Sequence, residues 1–176
     1  MDNSRVPHFN HEIVVGSLET VLIGNEEFIP FLLDINESAT NDNRLLSLDD
    51  VKIFTTAATA VSDKTLAELL ADPRLSLRYN MDAGGNNSVL LDYTRIGRGS
   101  GAADMAMLIP KSLLAGVSAT DTLYLYSRFG GDISEGDADA GYEEWTLGEG
   151  SPVIPEPGSA TLLGICAMGA LLRRRR

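Results

Sequence analysis

The chain has 176 residues, 25 of them acidic and 14 basic, for a net charge of −11. That length suits one domain of about 150 residues whose core is large enough to hold without disulfide or metal staples. The acidic balance excludes nucleic acid and anionic lipid as partners for the body of the chain, and the single cysteine, Cys166, excludes an intrachain disulfide or a cysteine-ligated metal centre.

From the N-terminus, residues 1–11 are polar and contain no apolar run of the kind that forms the core of an export signal. They are expected to be disordered or truncated, with the true start of the protein upstream of Met1. His8 and His11 sit there at H-x-x-H spacing, but the H-E-x-x-H of a metalloprotease helix is missing, so the pair reads as incidental.

Short apolar runs then follow one another: "EIVVGSLETVLIG", "EEFIPFLLDI", "DVKIFTT", "RLSLRYNMD", "SVLLDYTR", "DMAMLIP", "TLYLYSRF" and "YEEWTL". Their length and alternation predict about eight strands. In "RLSLRYNMD", Leu75, Leu77, Tyr79 and Met81 alternate with Arg74, Ser76, Arg78 and Asn80, which puts the apolar set on one face of a half-buried strand. Turn chemistry separates the runs in "DAGGNN", "GRGSG" and "FGGDISEGDADAG". The pattern predicts a mainly β domain, an antiparallel β-sandwich over residues 12–147 with one or two short helices. One helix is expected in "SDKTLAELLADP", where Leu66, Leu69 and Leu70 have helical spacing, Ser62 or Asp63 would be the N-cap, and Pro73 terminates. A second helical turn is expected after Pro110 in "PKSLLAG".

Candidate chemistry is thin. In "LDINESATNDNRLLSLDD", Asp34, Asn36 and Ser38 begin like an EF-hand loop, but Ala39 stands where glycine is needed and Leu45 where the bidentate glutamate belongs. A calcium ion held by Asp34, Asn36, Asp42 and Asn43 remains a candidate beside the plainer reading of a solvated acidic loop with Asx turns. The same two readings apply to Asp132, Glu135, Asp137 and Asp139. Glu143 and Glu144 beside Trp145 make a poor glycosidase dyad, because neighbours on a strand point to opposite faces. No G-x-S-x-G occurs, "GRGSG" lacks the lysine of a phosphate-binding loop, and no nucleophile is nominated, so a non-enzymatic chain is expected. Tyr124 and Tyr126 share a strand face and, with Arg128, form a candidate carbohydrate platform; the alternative is a pair of tyrosines covering the outer side of a sheet.

The end of the chain reads differently. Residues 148–158 form a linker rich in Pro, Gly and Ser, and from Pro157 to Leu172 no residue is charged. A helix over those positions would span about 24 Å, a little short of the roughly 30 Å hydrocarbon core, and arginine stems can reach out to headgroup level. Residues 159–176 are therefore expected to form a single transmembrane helix with Arg173, Arg174, Arg175 and Arg176 as its cytoplasmic stop and everything before it exported. Cys166 lies within this segment as a small apolar residue. With those arginines set aside, ten basic residues face 25 acidic ones, so the exported body carries −15.

Pro155, Glu156 and Pro157, then an apolar segment, then an arginine cluster, resemble the PEP-CTERM sorting signal of bacterial exported proteins. The resemblance implies recognition by an exosortase, a membrane-embedded cysteine protease or transpeptidase, with processing near Pro155 to Pro157. It also implies a cell-surface or extracellular destination and a link to exopolysaccharide and biofilm matrix. The two prolines agree with this, since they keep the residues before the membrane extended, as a protease cleft requires. A carbohydrate-binding sandwich module is the alternative reading of the body.

Overall fold

A computed structural model describes residues 13–38, 44–57, 65–94, 103–138 and 141–148. Nine strands form two antiparallel sheets: β1 (Ile13–Val14), β2 (Val21–Ile23), β3 (Glu26–Asp34), β4 (Leu45–Thr56), β5 (Ser76–Asn80), β6 (Val89–Asp92), β7 (Met105–Pro110), β8 (Thr122–Phe129) and β9 (Glu144–Leu147). Among the described residues there are also one short helix, α1 (Leu66–Ala71), and 3-10 turns at Val15–Ser17 and Lys111–Leu114. The expected antiparallel architecture with few helices is what the structure shows. Among the described residues no helix is long and apolar enough to cross a membrane, and residues 159–176 lie outside them.

Each sheet is organised around one long strand. In the five-stranded sheet β8 pairs with one edge of β4, and β5 and β6 share the other edge end to end, while β1 extends the sheet beyond β8. The four-stranded sheet repeats the plan, with β7 on one edge of β3 and with β2 and β9 end to end on the other. The core lies between the sheets in two clusters. Ile29 and Phe31 of β3 meet Ile53 of β4, Ile109 of β7 and Leu123 of β8. Leu33 and Ile35 meet Leu46, Leu48 and Val51 of β4 and Leu91 of β6. Burying such side chains contributes about 1.5–3 kcal/mol each, which sets the register of both long strands. Trp145 packs against both clusters and donates from Nε1 to Ser127 Oγ at 3.1 Å, tying the sheets together.

Two bulges correct the simple alternation read from the sequence. In β4 the pairing shifts between Leu48 and Asp50, so Asp49 is an extra residue, and Leu46 and Leu48 point inward alongside Val51 and Ile53. In β5, Tyr79 pairs with Ile53 while Leu77 pairs with Phe54, so Arg78 is the extra residue. Tyr79 and Met81 therefore face the inter-sheet core, whereas Leu75 packs with Phe54 on the outer side and Leu77 is exposed. The four residues expected on one face are divided between two.

The helix forms as its leucines predict, but its cap differs. Thr65 is the N-cap, its hydroxyl accepting from Glu68 N at 3.3 Å while Glu68 Oε2 accepts from Thr65 N at 2.7 Å, a complete capping box. Ser62 and Asp63 lie outside the described residues. The helix lays Leu69 on Phe54 and Tyr126, on the outer face of the five-stranded sheet, and ends before Pro73. The turn expected after Pro110 is the 3-10 turn at Lys111–Leu114.

Candidate functional site

The outer face of the five-stranded sheet carries a charged array. Beyond the bulge, Asp50, Lys52 and Phe54 of β4 point outward, level with Arg128, Tyr126 and Tyr124 of β8. Lys52 Nζ donates to Asp50 Oδ1 at 2.6 Å and to Oδ2 at 2.5 Å, and both side chains are buried. Arg128 donates to both carboxylate oxygens of Asp132 at 3.1 and 3.2 Å, which pushes the guanidinium up and the Asp132 carboxyl down from their ordinary values. Asp49, left out of the ladder by its bulge, turns toward the glycine loop and accepts from Gly131 N at 2.7 Å and Asp132 N at 3.3 Å. The charges satisfy one another, so the array fixes the strands and loop.

Of the two readings for the tyrosines, the geometry favours a pair covering the outer side of the sheet: Tyr126 is 8% exposed, beneath Leu69. Its hydroxyl is pushed up from the ordinary value, first by burial and then by the Asp50 carboxylate. Tyr124 is half-buried against the same cluster. A sugar stacking on Tyr126 would have to displace the helix, because the leucines of α1 prefer the aromatic surface to water.

The acidic end of β3 brings together part of the candidate calcium set. Asp104 Oδ2 accepts from Ile35 N at 3.0 Å, while Asp104 Oδ1 is buried with no hydrogen-bond partner. Its carboxyl is pushed above 3.8 by burial, against the pull of the Ile35 N–H, with the Asp34 carboxylate adding to the rise. Asn36 donates Nδ2 to Tyr142 O at 2.5 Å. Asp42 and Asn43 lie outside the described residues, as do His8, His11 and Asp139. Among the described residues no group of three or more His, Cys, Asp or Glu is placed to hold a metal ion. Asp132 is committed to Arg128, and Glu144 and Trp145 alternate across β9 as strand neighbours do. Sequence reasoning missed Asp104, because a single Asp before an apolar strand carries no signal of pairing with a distant loop.

A cavity of about 260 Å³ opens at one end of the sandwich, among Val15, Leu18, Ile29, Leu114 and Val117. Its one charged lining residue, Lys111, donates to Glu27 Oε2 at 2.9 Å, which holds the Glu27 carboxyl below its ordinary value.

At the other end of the chain the geometry concerns delivery. β9 is the last described strand, and Gly148 after it donates N–H to Pro30 O at 3.0 Å. Any side chain at Gly148 would meet Pro30 Cβ and Cγ at 3.0 Å, so the exit is pressed against β3. Pro155, Glu156, Pro157 and Arg173 to Arg176 follow outside the described residues. Residues 153–176 match the family model of the PEP-CTERM protein-sorting motif. No curated protein and no solved structure matches the chain. The described part of the two-sheet fold, which reaches Gly148, is thus followed within five residues by a PEP-CTERM protein-sorting motif, the C-terminal signal of exosortase-processed surface proteins.

Proposed function

We infer that this chain is an exported, non-enzymatic protein whose sandwich is the cargo and whose last residues are a temporary membrane anchor. An exosortase removes the anchor near Pro155 to Pro157 and leaves the domain at the cell surface or in the extracellular, exopolysaccharide-containing matrix. The match over residues 153–176, directly behind the last strand, carries this reading. The apolar stretch holds the prolines at membrane level, Arg173 to Arg176 fix its cytoplasmic end, and Glu156 is the charge next to the membrane for a basic or hydrogen-bonding group of the enzyme. The paired charges of the sandwich support a structural cargo over a catalyst.

The test is mass spectrometry of the mature C-terminus from a host with the matching exosortase. A terminus near Pro155 to Pro157 is expected, and Glu156→Ala should block processing while circular dichroism of the domain stays unchanged. A surface form that retains Arg173 to Arg176 would make the tail a permanent anchor and sink the reading.

A further inference from the structure

The outer face of the four-stranded sheet has no counterpart to the charged array opposite. Ile29, Phe31 and Leu33 of β3 and Met107 and Ile109 of β7 point into the core, so Phe28, Pro30, Leu32, Ala106, Leu108 and Pro110 point out, paired across the two strands. Val21 of β2 lies opposite Phe28 on the same side. None of these residues is charged, and Phe28, Leu32, Leu108 and Pro110 are half-buried. Pro30 and Val21 are buried, and Ala106 is exposed at the margin.

The exit of the chain singles out the occupant. β9 runs along β3 until Gly148, level with Pro30, and the next stretch of that edge is already taken by β2, starting at Val21 opposite Phe28. The strand cannot continue in the sheet. The inner side is filled by Leu147, Trp145 and Ile29, so the chain must turn away from the core. Two strand spacings, about 10 Å, separate Gly148 from the Leu108 row, whereas the five residues to Val153 reach about 17 Å. The segment reads Pro152, Val153, Ile154, Pro155, an apolar pair between prolines, which disfavour helix before them. A bilayer fits this face less well, because Glu26, Glu27, Asp34 and Glu144 stand at its borders.

We propose that residues 149–154 dock on this face, with Val153 and Ile154 laid against Leu32, Leu108 and Pro110. The domain then presents Pro155 to Pro157 from its own edge and not from a free tether. This needs only the course of the chain past Gly148, so it stands or falls separately from exosortase processing.

The test uses the full chain with Cys166→Ser, in membranes of a host without exosortase, carrying Ala106→Cys and Val153→Cys. A disulfide requires Cα atoms within about 7 Å, so the expected result is a monomeric, faster-migrating species under oxidation, absent when Leu77→Cys on the opposite sheet replaces Ala106→Cys. Adding Ile154→Asp, which lies outside the sandwich, should slow the crosslink about tenfold through loss of apolar burial. An unchanged rate would mean that tethering alone brings the cysteines together and would overturn docking. Disulfide dimers from Ala106→Cys alone, faster than the monomeric crosslink, would assign the face to a second copy and equally overturn it.

Discussion

The two outer faces of the sandwich solve opposite problems. On the five-stranded sheet, Asp50 and Lys52 are buried as partners of one another, and α1 covers the aromatic end. On the four-stranded sheet the outward residues of β3 and β7 between Phe28 and Leu32 are uncharged. A charged face costs most when one partner is lost, because the remaining charge stays desolvated. An apolar face loses little when a single residue changes, and its use lies in what it attracts. The difference assigns structural work to the first face and contact to the second.

The largest expected effect therefore falls on the charged side. Lys52→Met leaves the Asp50 carboxylate, 3% exposed, without its cation, and should cost about 3–5 kcal/mol in urea unfolding. Replacing both, as Asp50→Leu with Lys52→Met, should recover most of that loss, since matched apolar side chains pack there without desolvation. A single variant within about 1 kcal/mol of the parent would show that the pair is open to water and would dissolve the contrast between the faces.

Next in size is the helix that closes that face. Leu69→Ala removes a side chain 1% exposed and should cost about 2–5 kcal/mol. It should also lower the Tyr126 pKa toward its ordinary 10.0, because burial is the first cause of its rise, and an ultraviolet titration of tyrosine ionisation reads this directly. A Tyr126 titration unmoved by Leu69→Ala would place the cover elsewhere.

What the sequence made legible depends on how local its causes are. Strands such as "TLYLYSRF" declared themselves through alternation, and the sorting tail through the order of three elements, neither needing a distant partner. The bulges at Asp49 and Arg78 were hidden because they answer to neighbouring strands: "LLSLDDVKIF" keeps an inward pattern only if one residue is skipped. The same stretch was read partly as an acidic loop, and its aspartates are instead β4 residues engaged with Gly131 and Lys52. Thr65 lost to Ser62 and Asp63 as the expected cap, although Glu68 three residues on spelled the capping box. The cover over Tyr126 was hidden for a tertiary reason, the return of α1 over its own sheet.

The smallest effect sharpens the comparison at the acidic border of the apolar face. Asp104 is 7% exposed, and its carboxyl is raised above 3.8, chiefly by burial. Well below 3.8 the group is protonated in the folded and unfolded states and contributes nothing. As pH climbs, the unfolded chain releases its proton first, so stability falls from about 3.8 until the raised folded value is passed, then stays lower. Asp104→Asn keeps an acceptor for Ile35 N and never ionises, and its amide can donate toward Asp34. It should therefore melt a few degrees higher than the parent at pH 7 and together with it below pH 3. A calcium ion bound at this border would reverse the order: with calcium, the parent would gain stability that the Asn variant lacks, and a chelator would abolish the gain. Melting curves of both proteins at the two pH values, with and without calcium, decide whether the Asp104 charge is a tolerated cost or a ligand.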